Sequence, residues 1–212
     1  MAEKKRPRRT RERILETALA LFNRDGEPSV TTAHIADEMN ISPGNLYYHF
    51  GNKDEIIGEL YAAYERDVLP LFASPPDRAP DVEDLWLMLH LLFERMWAYR
   101  FLFRDLDELA SRNRRLASRF AELVRRGETT VIELCRGMVA AGAMHASERE
   151  IAALARNVAV VATYSLSFQR IEAPAIDAPR LDHAAYHVLA LVAPFMSGDA
   201  RALIERLGDQ YL

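Results

Sequence analysis

A single cysteine, Cys135, stands in 212 residues. No intrachain disulfide can form, no zinc-ligand spacing appears, and a reducing, cytoplasmic setting is the expectation. Apolar runs are short as well. The longest, LWLMLHLLF at 85–93, falls well below the ~20 residues a membrane-spanning helix needs, and no apolar segment precedes Ile14. No membrane partner is expected. The chain also lacks a glycine-rich phosphate loop, a nucleophile–base pairing and a set of metal ligands, so neither catalytic apparatus nor a cofactor is expected. Runs of alternating β-branched residues and internal repeats are missing too, which argues against sheet and solenoid architectures.

What remains is half apolar, enough for a substantial core in one large or two small units. The net charge of −4 excludes a uniformly basic, nucleic-acid-coating protein, but it averages two unlike parts. From Met1 to Arg13, Lys4, Lys5, Arg6, Arg8, Arg9, Arg11 and Arg13 stand against Glu3 and Glu12, a local excess of +5. A basic arm on an acidic body suits local phosphate binding; a solvated terminus has the same composition.

Helical periodicity runs almost throughout, predicting an all-α fold. A first helix spans about Thr10–Asp25, with Ile14, Ala18, Leu21 and Phe22 on one face and Gly26 as its stop. A second begins at Thr31 or Thr32, buries Ile35, Ala36 and Met39, and ends at Asn40. Ser42 before Pro43 is a strong start signal for a third, to about His49: the hydroxyl accepts an orphan N–H and proline lacks one. Asn52 with Glu55 opens a fourth, to about Leu69, before the break marked by Pro70, Pro75, Pro76 and Pro80. Further helices are expected at roughly 81–99, 101–111, 114–142, 147–171, 180–193 and 199–210. The division is an N-terminal three-helix unit at 9–56 and a larger C-terminal helical unit at 57–212.

Two short helices joined by Asn40, Ile41 and Ser42 fit the helix-turn-helix plan, in which the second enters the major groove. In SPGNLYYHF, Leu46 and Phe50 lie at i, i+4 and serve as core anchors, leaving the opposite face to read DNA. That face offers Gly44 for close backbone approach, Asn45 for an adenine edge, and Tyr47 and Tyr48 for thymine methyls or phosphates. His49 and Lys53 fall where phosphates would lie. Thr31 and Thr32 cap the preceding helix, donate to phosphate, or do both. Taken singly, Tyr47, Tyr48 and His49 are equally well read as boundary residues with buried rings and wet tips.

The run RERILETALALFNRDGEPSVTTAHIADEMNISPGNLYYHFGNKDEII resembles the DNA-binding domain of the tetracycline-repressor-like (TetR) family, above all from Ile35 to Ile57. The resemblance implies a homodimeric, ligand-responsive repressor on a palindromic double-stranded operator, with an inducer held in the C-terminal helices. It also implies that Thr31, Thr32, Ser42, Pro43, Gly44, Asn45, Tyr47, Tyr48, His49 and Lys53 contact DNA. An activator of the same fold is the alternative, and a helical small-molecule-binding protein or enzyme a more distant one.

In the C-terminal part, Trp86, His90, Phe93 and Trp97 share one helical stripe, with Leu85, Leu89, Leu92, Met96 and Tyr99 adjoining. The stripe either packs on another helix or lines a pocket for an apolar inducer, with His90 as its polar group. Phe101, Phe103, Met138, Tyr164 and Phe168 are candidates to complete such a pocket. Ile151, Leu154, Ala155, Val158, Ala162 and Ser165, with Leu181, Ala184, Ala185, Val188, Leu191 and Val192, form stripes suited to a four-helix dimer interface or to plain core. His183 and His187, one turn apart, are too few for a metal site. Asp105, Asp107 and Glu108 read as a solvated helix face.

Overall fold

A computed structural model describes residues 6–73, 78–172 and 181–211, with side chains from Arg9 in the first helix and from Ala184 in the tenth. The basic side chains before Arg9, and that of His183, lie outside the described residues. Eleven α-helices are described: α1 (Arg6–Asp25), α2 (Thr32–Glu38), α3 (Pro43–His49), α4 (Lys53–Val68), α5 (Val82–Ala98), α6 (Phe101–Arg104), α7 (Leu106–Arg112), α8 (Arg114–Ala140), α9 (Glu148–Glu172), α10 (Leu181–Val192) and α11 (Gly198–Asp209). Among the described residues the only β pairing is an isolated bridge between Met144 and Met196. The expected all-α fold stands.

Two compact units form, and the first is discontinuous: α1 through Arg66 gathers in Tyr99–Ser118, while Asp67–Ala98 joins Arg119–Leu212. The expected division at residue 57 lies within α4, as does the one between Arg66 and Asp67, and a segment distant in sequence belongs with the N-terminal helices. Packing and hydrogen bonds both explain its place in the first unit. The rings of Phe22 and Phe101 approach to 5.2 Å, and Tyr64 meets Tyr99 and Phe103 edge-on at 5.6 and 5.5 Å. The Phe101 N–H donates to Asn23 Oδ1 (3.1 Å), and the Arg104 guanidinium donates to the carbonyls of Phe22 and Asn23 in the last turn of α1. Gly26, at φ +90° in the left-handed region, closes α1 by donating to Phe22 O (3.1 Å).

In the second unit α5 buries Val82, Leu85, Met88, Leu89, Phe93 and Met96 and packs with α10 and α11. Asp81 and Asp84 cap its start reciprocally: Asp81 Oδ1 accepts the Asp84 N–H (3.0 Å) and Asp84 Oδ2 the Asp81 N–H (2.9 Å). Arg78 bonds both carboxylates. Thr130 on α8 donates its hydroxyl to Phe72 O (3.1 Å), and Gly137 on α8 lies directly against Pro80. Helix α10 packs chiefly on α9, and Ile151, Leu154, Ala155, Val158 and Ala162 are buried there. That stripe is therefore intrachain core. The apolar residues that α9 leaves exposed lie on another face: Val160, Tyr164, Phe168 and Ile171. A candidate pocket that draws on Tyr164 and Phe168 is corrected accordingly, since both rings point outward.

Candidate nucleic-acid interface

Helix α2 is held by Thr31, whose hydroxyl accepts the His34 N–H (3.2 Å), with Ile35 and Ala36 buried beneath it. Asn40, at φ 54°, makes the turn; asparagine tolerates the left-handed region better than most residues. Helix α3 then starts at Ser42, whose hydroxyl accepts the Asn45 N–H (3.2 Å) ahead of Pro43 in the first turn. Such a cap stabilises by about 1 kcal/mol. Leu46 and Phe50 are 0% and 1% exposed, each burial favouring this seating of α3 by roughly 2 kcal/mol. Arg11 covers the Phe50 ring, its guanidinium carbon 4.6 Å from the ring centre.

With those anchors inward, the rest of α3 faces out. Ser42, Pro43, Gly44 and Asn45 are exposed, Tyr47 is 52% and Tyr48 79% exposed, and His49 is half-buried with its ring edge-on to Tyr48 at 5.1 Å. Buried rings with wet tips therefore do not describe the two tyrosines. Thr31 is exposed, and Thr32 shares a hydroxyl–hydroxyl hydrogen bond with Tyr47 (3.0 Å) that ties the start of α2 to the middle of α3. Nine of the ten expected residues thus gather on α2 and α3.

Lys53 is different. Its ammonium donates to Glu27 O (3.0 Å) and Val30 O (2.9 Å) and pairs with Glu27 Oε1 (2.7 Å), so all three N–H groups are engaged within the protein. The expectation that it lies on a phosphate is not what this geometry favours. Glu27 is 0% exposed, a charge that sequence reasoning passed over because it sits in a polar loop. Its other ion pair is to Arg112 Nη2 on α7 (2.9 Å), and its N–H donates to Asp105 Oδ2 (2.9 Å). Asp105 is accordingly not part of a solvated face, although Asp107 and Glu108 are exposed. Burial disfavours the Arg112 charge, but the hydrogen bond and attraction from Glu27, with help from Asp54 and Glu108, more than restore it.

The aromatic stripe of α5 divides. Phe93 is buried on the packed face, while Trp86, His90 and Trp97 are half-buried. Trp86 stacks on His90 with ring centres 5.4 Å apart and planes at 17°, and His90 Nδ1 shares a hydrogen bond with the Tyr211 hydroxyl (3.1 Å). The buried Trp86 indole N–H has no hydrogen-bond acceptor among the described residues. His187 is exposed, and no metal-binding cluster of histidine, cysteine or carboxylate occurs among the described residues.

Comparison with known proteins agrees with this architecture. The chain is 34% identical to a TetR-family transcriptional regulator from Marinobacter aquaeolei VT8, covering 95% of this chain and 98% of that one at a TM-score of 0.85. It shares the fold of a transcriptional regulator from Saccharomonospora viridis solved with choline (22% identity, 90% of this chain, 100% of that chain, TM-score 0.68). A probable acrEF/envCD operon repressor of Escherichia coli K12 is 38% identical over 53 residues, 25% of this chain and 24% of that protein. The chain thus spans about a quarter of the length of that curated relative. Residues 14–60 match the bacterial regulatory proteins of the tetR family, and residues 63–204 match the TetR bacterial transcriptional repressor description. With a helix-turn-helix of this geometry and a family match over most of its length, the chain belongs to the TetR family of bacterial transcriptional regulators, not to a family of enzymes.

Proposed function

We propose that this protein is a cytoplasmic, ligand-responsive repressor that binds a palindromic operator as a homodimer and leaves it when an apolar inducer binds. The observation that carries the reading is α3 itself: a capped helix with two buried anchors and two tyrosines held out of the core. Its DNA-contacting set is Thr31, Thr32, Ser42, Pro43, Gly44, Asn45, Tyr47, Tyr48 and His49, with Asn45 and Tyr47 reading bases and the threonines meeting phosphate. Lys53 acts from behind that surface.

Dimerisation rests on α9. Val160, Tyr164, Phe168 and Ile171 form an exposed apolar stripe on the longest apolar helix of the described residues, a face well suited to a second copy of the chain. Half-sites about one DNA turn apart, or somewhat more, follow from that symmetry. The inducer site is proposed around Trp86, His90, Phe93 and Trp97, supported by the unsatisfied Trp86 N–H. His90→Ala and Phe93→Ala should then weaken inducer binding in a folded protein. Footprinting on the DNA upstream of the protein's own gene, with transcription from the same fragment, tests the whole reading. Protection of a palindrome with reduced transcript supports it, increased transcript favours an activator, and no protection of any sequence removes it.

A further inference from the structure

We infer that Glu27 is a positioning residue for operator binding, a buried carboxylate that fixes the loop before α2 against α4 through Lys53 and against α7 through Arg112. The inference rests on the DNA-binding reading above.

The loop from Gly26 to Thr31 decides where α2 begins, and through the Thr32–Tyr47 bond it also decides where α3 points. Little backbone pairing holds it: within the loop, the Val30 N–H reaches Glu27 O (3.2 Å). Side chains do the rest. Lys53 collects the carbonyls of Glu27 and Val30, the two ends of the turn, and Asp105 receives the Glu27 N–H. Glu27 Oε1 lies 2.7 Å from Lys53 Nζ and 2.9 Å from Arg112 Nη2, so one oxygen joins α4 and α7. Oε2 is buried with no hydrogen-bond partner among the described residues. A fully buried carboxylate with one oxygen unsatisfied is costly to retain, and swapping such an ion pair for apolar residues is often neutral or stabilising. Stability alone is therefore a poor reason for the cluster, whereas the positioning of a recognition surface is a role that a charge with two fixed partners can fill. Neither Lys53 nor Arg112 has to touch DNA for affinity to depend on it.

The slope of affinity against salt separates positioning from direct binding, because removing one side chain that neutralises a phosphate makes it shallower by about one. The probe is the consensus duplex that the full-length wild-type protein selects from random-sequence DNA, with binding read by fluorescence anisotropy at several salt concentrations. Lys53→Met, Glu27→Gln and Arg112→Met are compared with wild type, each first shown by circular dichroism to be folded. Arg112 is partly exposed, so Arg112→Met keeps the test open should Glu27→Gln fail to fold. The expected result is a loss of tenfold or more at every salt concentration with the slope unchanged, and recovery of most of the affinity in Arg112→Lys. A shallower slope for Lys53→Met would make it a phosphate ligand and overturn the inference, as would wild-type affinity in Glu27→Gln or Arg112→Met. Failure of the wild-type protein to select any sequence would instead overturn the DNA-binding reading itself.

Discussion

Two helical glycines, Gly58 in α4 and Gly137 in α8, should respond in opposite directions to the same substitution. Alanine in a helix interior is favoured over glycine by about 0.5–1 kcal/mol, because glycine loses more backbone freedom on folding. At Gly58 a Cβ meets no atom of a neighbouring element within 4 Å, so Gly58→Ala should realise the whole gain and raise the melting temperature by roughly 1–4 °C for a chain of this size. At Gly137 a Cβ would lie 2.6 Å from Pro80 Cδ and 2.9 Å from Pro80 Cγ, far inside the ~3.5–4.0 Å of ordinary carbon contact. Proline's ring cannot rotate out of the way, and the segment it belongs to is held by the Arg78, Asp81 and Asp84 hydrogen bonds. Overpacking of this kind costs about 1–3 kcal/mol, which outweighs the helical gain and leaves Gly137→Ala less stable by roughly 0.5–2 kcal/mol. Urea titration followed by circular dichroism, at one fixed protein concentration so that any self-association weighs equally on every variant, measures both. A Gly137→Ala protein as stable as wild type would refute the close approach of α8 to Pro80. A destabilised Gly58→Ala would mean that this face of α4 is covered.

Tyr47→Ala should weaken binding to the selected duplex and change the preferred bases, as read by repeating the selection; unchanged affinity would mean that α3 is not the recognition helix. On the proposed α9 contact, the wild-type protein should sediment as a dimer at micromolar concentration and the Tyr164→Glu, Phe168→Glu double variant as a folded monomer. Burial pushes the Cys135 thiol up to about 11, so at neutral pH a thiol reagent should modify it only once the protein is unfolded. Burial works against the Asp84 carboxylate, but hydrogen bonds from Arg78 and the Asp81 N–H hold its pKa below the usual 3.8. A lowered folded value means that the carboxylate stabilises fully above 3.8 and that this stability is lost as pH falls through the folded value. Asp84→Asn should therefore narrow the stability difference from wild type as the pH is taken below about 4, measured by melting between pH 7 and pH 3.

Local chemistry made most of the fold legible in the sequence. Thr31, Ser42 and Asn52 mark helix starts because their side chains accept N–H groups a few residues ahead, and Pro43 and Gly26 act on the adjacent backbone. The anchors Leu46 and Phe50 follow from one helical turn. Glu27 could not be read this way: its partner on α7 is 85 residues away, and a glutamate in a polar loop looks solvated until that partner is placed. The same distance hid the membership of Tyr99–Ser118 in the first unit and the inward role of Asp105. On α9 the sequence displays two apolar stripes, and only the position of α10 decides that the Ile151–Ala162 stripe is covered while Tyr164 and Phe168 are not. Lys53 shows the converse: its position pointed to phosphate, and its three hydrogen bonds point inward.

The discontinuous first unit bears on how regulators of this kind can be recombined. A graft that moved the first sixty-odd residues onto another body would leave Glu27 without Arg112, the end of α1 without Arg104, and Phe22 without the ring of Phe101. Exchanging operator specificity between such proteins should therefore require transplanting two separate stretches together, the N-terminal helices and residues 99–118. A hybrid joined at a single seam would inherit α3, the proposed reading helix, without the side chains from 99–118 that hold the loop before α2.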